Sequence, residues 1–173
     1  GPDQHLWLDP VLVKQLLPKL TAAVKDAAAA KNAPATELER IDQSGLELEA
    51  KVQQVDRDWA EAFKAMPGAS IVTHHNAFGR PAERYGFTVA AVIRGMEGKD
   101  PTPADIATVV TEIKARKVRA IFVEPQFNAR AAERIAKSAK VKLGTLDPLG
   151  DGDWFALMSR NLESMKSNLA EPK

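Results

Sequence analysis

The chain has 173 residues, of which 45% are hydrophobic and 27% are charged, a composition ordinary for a globular protein with one full core. A formal net charge of +1 gives no electrostatic reason to expect binding to nucleic acid or to a membrane surface. No cysteine is present, so disulfides and thiolate metal ligands are excluded, and a metal would have to bind nitrogen and oxygen atoms. We find neither an apolar run of the roughly 20 residues that a membrane-spanning helix needs nor a signal-peptide pattern.

The first 66 residues have a helical pattern. Asp9 can cap a helix that begins at Pro10, whereas Pro18 should kink or interrupt that helix. Its apolar residues share one face: Leu12, Leu16, Leu17, Leu20 and Val24. After a break at 32–34, apolar residues at every third or fourth position predict a second helix at 35–65. Such a stripe is equally typical of a coiled coil.

The rest of the chain alternates short strands with helices. The predicted strands are Ala69–Thr73, Phe87–Ile93, Ala120–Val123 and Val141–Leu146. The predicted helices lie near Pro81–Tyr85, from Pro103 after a capping Thr102, at Asn128–Ala139 and at Asp153–Leu169. Alternation with short connections predicts an α/β fold, in which a four-stranded parallel sheet is flanked by helices on both faces.

The three histidines of the chain lie in two short segments, at His5 and at His74-His75. His75 follows the first predicted strand, and Asp147 follows the fourth. Because ligands bind beyond the carboxyl ends of parallel strands, these two residues should lie at one edge of the sheet. Imidazole and carboxylate groups brought from distant positions are typical of a transition-metal site. A buried, hydrogen-bonded histidine and a turn aspartate before Pro148 remain open alternatives.

Five linked motifs occur in order along the chain. They are D-x-H-L-W-L-D-P from Asp3, H-N-A-F-G from His75 followed by R-Y-G, E-G-K-D-P-T-P-A-D-I from Glu97, I-F-V-E-P-Q-F-N from Ile121 and L-D-P-L-G from Leu146. Together they resemble the solute-binding proteins of zinc and manganese ABC importers, and the resemblance covers essentially the whole chain. It implies two lobes joined by a long helix, with the metal between the lobes. The helix at 35–65 would then be this connection and not a coiled coil.

The resemblance also implies that His5, His75 and Asp147 are metal ligands. His74 should point to the opposite side of an extended chain from its neighbour, so we expect no ligand role for it. Zinc is the expected metal, because manganese-selective relatives commonly carry a carboxylate where this chain has His75, and nitrogen there favours zinc. Manganese or iron is the alternative.

Two further side chains are expected to support the ligands. Glu124, at the end of the third strand, should accept a hydrogen bond from a metal-bound histidine, unless it is only a carboxylate at the start of a helix. Arg84 is expected to pair with Asp147 or Glu124. The chain departs from the family pattern at Arg80 and Pro81, where a tyrosine and a second aromatic residue usually stand.

The family has a first lobe before the D-x-H segment, which implies that this chain is a C-terminal fragment. The expected parts are a helical remnant of the first lobe (1–34), the connecting helix (35–66) and a C-terminal α/β lobe (67–173). Gly1-Pro2 would be a protease scar or native sequence. The intact protein is expected to be periplasmic, or extracellular and anchored to the membrane, and to deliver its metal to an ABC permease.

Two other functions compete with metal transport. A metal-dependent hydrolase could use three ligands and a bound water, but no H-E-x-x-H pairing is present and no general base stands beside a histidine, so we expect no enzyme. A structural or adhesin-like module could self-associate through the long helix. Loss of the first lobe would expose the apolar faces of both early helices and would allow the fragment to dimerise through them.

Overall fold

Two long helices begin the fold, and an alternating set of strands and helices follows. The computed structural model describes residues 3–93 and 102–170. A 3₁₀ turn at Leu6–Leu8 leads into α1 (Pro10–Ala29), and α2 follows at Ala35–Lys64. Among the described residues, no helix combines the length and the apolar character needed to cross a membrane.

Helix α1 begins where the sequence predicts. Asp9 Oδ1 accepts hydrogen bonds from the backbone N–H groups of Val11 at 3.0 Å and Leu12 at 3.4 Å, which caps the helix. Of the two effects predicted for Pro18, an interruption is wrong, since α1 runs for 20 residues with this proline inside it, and a kink stays a prediction. Pro18 is exposed, so water can bind the carbonyl group that the missing proline N–H leaves without a partner.

Helix α2 has 30 residues and is therefore about 45 Å long. Its first half packs against α1 so closely that a Cβ on Gly45 would lie 2.5 Å from Thr21 Oγ1. Its second half buries Trp59 and Phe63 in the core beneath the sheet. One helix thus contacts both the helical N-terminal part and the α/β part of the molecule.

The remaining elements form a parallel sheet with helical crossovers. The strands are β1 (Ser70–Thr73), β2 (Thr88–Val92), β3 (Ala120–Val123) and β4 (Lys142–Thr145). The helices are α3 (Gly79–Tyr85), α4 (Pro103–Ala115), α5 (Arg130–Ala139) and α6 (Trp154–Leu169). The strand order is β2-β1-β3-β4, every pair is parallel, and Ile71 lies opposite Ala120. The predicted four-stranded parallel sheet is confirmed.

Both faces of the sheet are covered. Ile71 and Phe122 belong to a buried cluster that also contains residues of α2, α3 and α6. The adjacent residues Val72 and Ile121 belong to a second cluster, with residues of α4 and α5. Because successive side chains of a strand point to opposite faces, this division places one helical layer on each side. The central strand β1 is buried along its whole length.

Helix α4 carries the capping arrangement that its sequence predicts. The Thr102 hydroxyl accepts from the Asp105 backbone N–H, and the Asp105 carboxylate accepts from the Thr102 backbone N–H. Half of the E-G-K-D-P-T-P-A-D-I motif, residues 97–101, lies outside the described residues, as do Gly1 and Pro2.

Candidate metal centre

His75 lies just beyond the carboxyl end of the central strand β1, and Glu124 lies just beyond the end of the neighbouring strand β3. The backbone N–H of His75 donates to Glu124 Oε1 at 3.2 Å, and the imidazole Nδ1 of His75 contacts the same oxygen. The Glu124 side chain is only 4% exposed. A buried carboxylate therefore holds the ring by its Nδ1, and the expected contact between Glu124 and a histidine is present.

His5 is also held by a carboxylate at its backbone N–H and its ring Nδ1, and this carboxylate comes from Asp3 in the same segment. Asp3 Oδ1 accepts from the backbone N–H of His5 at 3.0 Å and lies 2.8 Å from the ring Nδ1. Burial raises the pKa of the Asp3 carboxyl, but the hydrogen bonds from His5 outweigh it and hold this pKa below its ordinary value. The carboxylate is therefore ionised at neutral pH and can orient the imidazole.

The two imidazoles face each other across the top of β1. His5 Nε2 lies 3.1 Å from His75 Nε2, and the ring centroids are 5.0 Å apart. Because a carboxylate sits beside each Nδ1, a neutral ring keeps its proton there and leaves the lone pair of Nε2 for a metal. Two nitrogens bound to one tetrahedral zinc ion lie about 3.3 Å apart, so the observed spacing is close to that of a shared ion.

Hydrogen bonds join the His5 segment to the loop after β4. Trp7 Nε1 donates to the carbonyl oxygen of Pro148 at 2.7 Å, and Trp154 Nε1 donates to the carbonyl oxygen of Trp7 at 2.7 Å. The 3₁₀ turn after His5 therefore packs beside the residue that follows Asp147. The loop that carries the third predicted ligand is thus tied to the segment that carries the first.

Asp147 itself has protein partners. Its Oδ1 accepts from Gln126 Nε2 at 2.8 Å and from the Leu149 backbone N–H at 3.0 Å. Burial raises the pKa of Asp147, but the hydrogen bonds from Gln126 and from backbone N–H groups of the loop outweigh it and lower this pKa. Across residues 3–93 and 102–170, no group of three or more histidine, aspartate or glutamate side chains is arranged to hold a metal ion. The structure brings His5 and His75 together, and the ligand role of Asp147 stays a prediction.

The prediction for Arg84 needs correction. Its Nε and Nη2 donate to the two carboxylate oxygens of Asp9, at 2.6 and 2.7 Å, and not to Asp147 or Glu124. The hydrogen bond to Asp9 raises the pKa of Arg84 further above its ordinary value. The fold places the buried carboxylate of Asp9 against α3, where it attracts the guanidinium of Arg84.

His74 is buried and packs its ring edge-on against Phe127, with 4.5 Å between the centroids. Its Nδ1 lies 3.8 Å from the same Glu124 oxygen that contacts His75. In an extended chain the rings of His74 and His75 would point to opposite sides. They do not, because β1 ends at Thr73 and the backbone bends over 74–76. That His74 has no ligand role stays a prediction.

Sequence reasoning missed three residues that shape the centre. Asp3 orients His5, and its position two residues before a histidine was an available signal. Arg80 donates to the Asp3 carbonyl oxygen, which no sequence pattern indicates. Asn161, on α6, binds both the backbone N–H and the carbonyl of Asp147, at 2.8 and 2.7 Å, and only the fold brings these residues together.

Comparisons with known proteins show which family this chain matches. The family model described as zinc-uptake complex component A, periplasmic, matches residues 1–168. The zinc-binding protein AdcA of Streptococcus pyogenes is 27% identical, over 95% of this chain and 32% of its own length. The high-affinity zinc uptake system protein ZnuA of Bacillus subtilis is 26% identical, over 96% of this chain and 53% of its own length.

A solved structure has the same fold. The crystal structure of ZnuA superimposes with a TM-score of 0.81 at 20% identity, over 97% of this chain and 60% of that one. The chain thus spans from about a third to about half the length of the two curated relatives, and three-fifths of the solved structure.

Proposed function

The chain belongs to the family of periplasmic zinc-uptake complex components, and we propose that it binds zinc through His5 and His75, with Asp147 as a third ligand. One observation carries the proposal: the Nε2 atoms of the two histidines face each other at 3.1 Å, and each ring has a carboxylate beside its Nδ1. Metal-bound histidines in proteins are held by such partners. The metal is the cargo of the protein and not a catalytic group.

The donor set favours zinc over the alternatives. Two imidazole nitrogens and one carboxylate oxygen suit a tetrahedral zinc ion, whereas manganese prefers carboxylate, carbonyl and water oxygens. Manganese or iron remains the second candidate, since the order of intrinsic affinities does not exclude either metal where it is abundant.

Asp147 is the proposed third ligand because its loop is already beside the His5 segment. The Trp7–Pro148 hydrogen bond fixes the loop, and the backbone of Asp147 is held on both sides by Asn161. The lowered pKa of Asp147 keeps its carboxylate ionised at neutral pH, as a zinc ligand must be. The side chain would exchange its hydrogen bond from Gln126 for the metal.

For the whole protein we propose transport. Residues 1–34 would be the remnant of a first lobe, 35–66 the connecting helix and 67–173 the second lobe, with zinc held between the two lobes. The intact protein would capture zinc in the periplasm, or at the outer membrane surface as an anchored protein, and deliver it to an ABC permease. Because the chain spans only part of its relatives' length, these 173 residues alone should bind zinc more weakly than the intact protein.

The family is a transport family and not a class of enzymes. We propose that no hydrolysis occurs at this centre, although three ligands and a water could in principle support it. Hydrolytic activity that depends on His75 and survives purification would favour the rival function.

Zinc affinity of ligand variants tests the proposal. In a competition titration with a chromophoric chelator, His5→Ala and His75→Ala should each raise the dissociation constant about 100-fold, because each removes one of few ligands. Asp147→Ala should raise it about tenfold. Asp151→Ala, an exposed aspartate of the same loop whose side chain is 68% exposed, is the matched control and should leave it unchanged. Tight binding that His75→Ala does not alter would overturn the proposal.

A further inference from the structure

We propose that Arg80 and Arg84 form an arginine clamp, meaning two side chains of α3 that hold residues 3–9 at both ends and thereby set the spacing of His5 and His75. The inference rests on the proposed zinc function. The two arginines are four residues apart on a helix, so they lie on the same face, one turn apart. Within residues 3–93 and 102–170, the hydrogen bonds of both arginines go to Asp3 and Asp9 and not to a proposed ligand, so both act as positioning residues.

Arg80 holds the first end of the segment. Its Nε and Nη2 both donate to the carbonyl oxygen of Asp3, at 3.3 and 3.0 Å. Asp3 is the residue whose carboxylate contacts the backbone and the ring of His5. The guanidinium presents two donors in a fixed plane, so it restrains the position of this carbonyl more firmly than a single donor would. Arg80 therefore holds the residue that orients His5.

Arg84 holds the other end. Its two nitrogens bind the two oxygens of Asp9, in a paired geometry that fixes both side chains. The Asp9 side chain is 4% exposed and also caps α1, so it is anchored on the helix side as well. The residues between the two ends have restricted backbone motion, because the backbone N–H of Leu8 donates to the carbonyl oxygen of His5 within the 3₁₀ turn.

The same helix serves both histidines. α3 begins four residues after His75, and its N-terminal residue Gly79 lies against Asp3, since a Cβ there would be 3.4 Å from Asp3 Oδ2. The loop of His75 and the anchors of the His5 segment are thus parts of one short stretch, 75–84. If the clamp is released, the segment samples other positions, and the apparent zinc affinity falls in proportion to the population that still matches His75.

Arg80 is the better position for a single substitution. Its partner is a backbone carbonyl, so removing the Arg80 side chain leaves no buried charge without a partner. Arg80→Ala should raise the zinc dissociation constant about tenfold, and Arg80→Lys should restore part of that loss. Without metal, Arg80→Ala should also speed amide hydrogen exchange at His5, Leu6 and Leu8 by about tenfold. Arg116→Ala is the matched control, since Arg116 is an exposed arginine just after α4 that pairs with Glu112 of that helix.

Arg84 is tested in a pair, because Arg84→Ala alone would leave Asp9 buried without its partner and could unfold the chain. The double variant Asp9→Asn/Arg84→Gln removes both charges and should reproduce the faster exchange and weaker zinc binding. Unchanged exchange in Arg80→Ala and in the double variant would overturn the clamp. Faster exchange with unchanged zinc affinity would overturn its role in positioning. If the wild-type protein binds no zinc, the proposed function fails, and the exchange rates alone decide whether the arginines hold the segment.

Discussion

Each imidazole of the centre is paired with a carboxylate, and the two pairs differ in burial. The Glu124 side chain beside His75 is 4% exposed, whereas the Asp3 side chain beside His5 is 18% exposed. Electrostatic interactions strengthen where water is excluded, so the His75–Glu124 pair should contribute more to metal binding than the His5–Asp3 pair. The buried pair is also fixed by two contacts to one oxygen, from the backbone N–H and from the ring of His75.

Glu124→Gln tests the buried pair. The amide oxygen can still accept from the ring Nδ1–H, but the charge that raises the basicity of the imidazole is lost, so the zinc dissociation constant should rise about tenfold or more. A competition titration measures the change, and Glu112→Gln, at a half-exposed glutamate of α4 that pairs with Arg116, serves as the control. An affinity equal to that of the wild type would show that Glu124 has only a structural role.

Zinc affinity should fall as the pH is lowered from 7 to 5. Zinc and protons compete for the Nε2 lone pairs of the ligand imidazoles, so the loss should exceed about tenfold. The carboxyl groups of Asp3 and Asp147 have pKa values below their ordinary ones, so both stay ionised throughout. A lowered aspartate pKa stabilises the fold above the unfolded-state pKa, and that contribution is lost only as the pH falls through the lower folded value. Folding stability from these two groups should thus be constant between pH 5 and 7.

Isothermal titrations with zinc at both pH values, with urea unfolding at the same pH, separate these effects. Equal zinc affinity at pH 5 and pH 7 would argue against imidazole ligands. A large loss of folding stability over the same interval would show that the fold itself, and not the ligands, responds to protonation.

Contacts between site residues could be predicted from the sequence where the order of strands alone brings the residues together. His75 and Glu124 follow adjacent parallel strands, so their meeting at one edge could be deduced from strand positions. The partner of Arg84 could not, because Asp9 reaches α3 only through the path of the N-terminal segment. Asp147 shows the same limit: its loop was predictable, but its hydrogen bonds with Gln126 and Asn161 depend on side-chain packing.

Among the elements, the contact of α1 with α2 depends on one small residue. Gly45 lies in the middle of α2, where alanine would ordinarily favour the helix by about 1 kcal/mol. A Cβ at this position would meet the Thr21 side chain at 2.5 to 3.1 Å, so the close approach of the helices requires glycine. For an alanine at this position, helix propensity would raise the folding stability, whereas overlap with Thr21 would lower it. The measured sign therefore shows which effect is larger.

Gly45→Ala should therefore destabilise the protein by about 1–3 kcal/mol, as overpacking does, although helix propensity alone predicts a gain. Urea unfolding measures the difference. The double variant Thr21→Ala/Gly45→Ala removes the clash and should recover most of the loss, and Glu47→Ala, on the exposed face of α2, is the control. A more stable Gly45→Ala variant would mean that the two helices are farther apart than described.

Strand and helix bounds were predictable to within about two residues, because capping residues and glycine or proline turns mark them. The capping box at Thr102 and the strand Ala120–Val123 agree with the structure. Pro18 does not end α1 for a physical reason: a proline on an exposed helix face can be tolerated, since water can bind the carbonyl group that is left without a partner.

At the scale of the molecule, a group of exposed apolar side chains lies in a groove between α1 and α2. Leu20 and Val24 of α1 are 48% and 55% exposed, and Leu48 of α2 is 38% exposed beside them. These residues line one groove between the two helices. In the intact protein we propose that a first lobe covers this surface, and in this chain the exposed groove should drive self-association.

Sedimentation velocity at several protein and zinc concentrations tests this. The wild-type chain should form dimers at high concentration whether or not zinc is present, and Leu20→Glu should shift it to monomer. Leu143→Glu changes another exposed leucine, 36% exposed and on the edge strand β4, and should not alter the association. A monomer at every concentration, or a dimer that appears only with zinc, would contradict hydrophobic pairing.

Two imidazoles from distant parts of the chain should bind one zinc ion. Anomalous diffraction at the zinc edge, from crystals of this chain grown with zinc, would locate that ion. We expect one strong peak between His5 Nε2 and His75 Nε2, about 2.0–2.1 Å from each. A peak elsewhere on the molecule, or full occupancy that survives His75→Ala, would rule out a zinc ion shared by the two histidines.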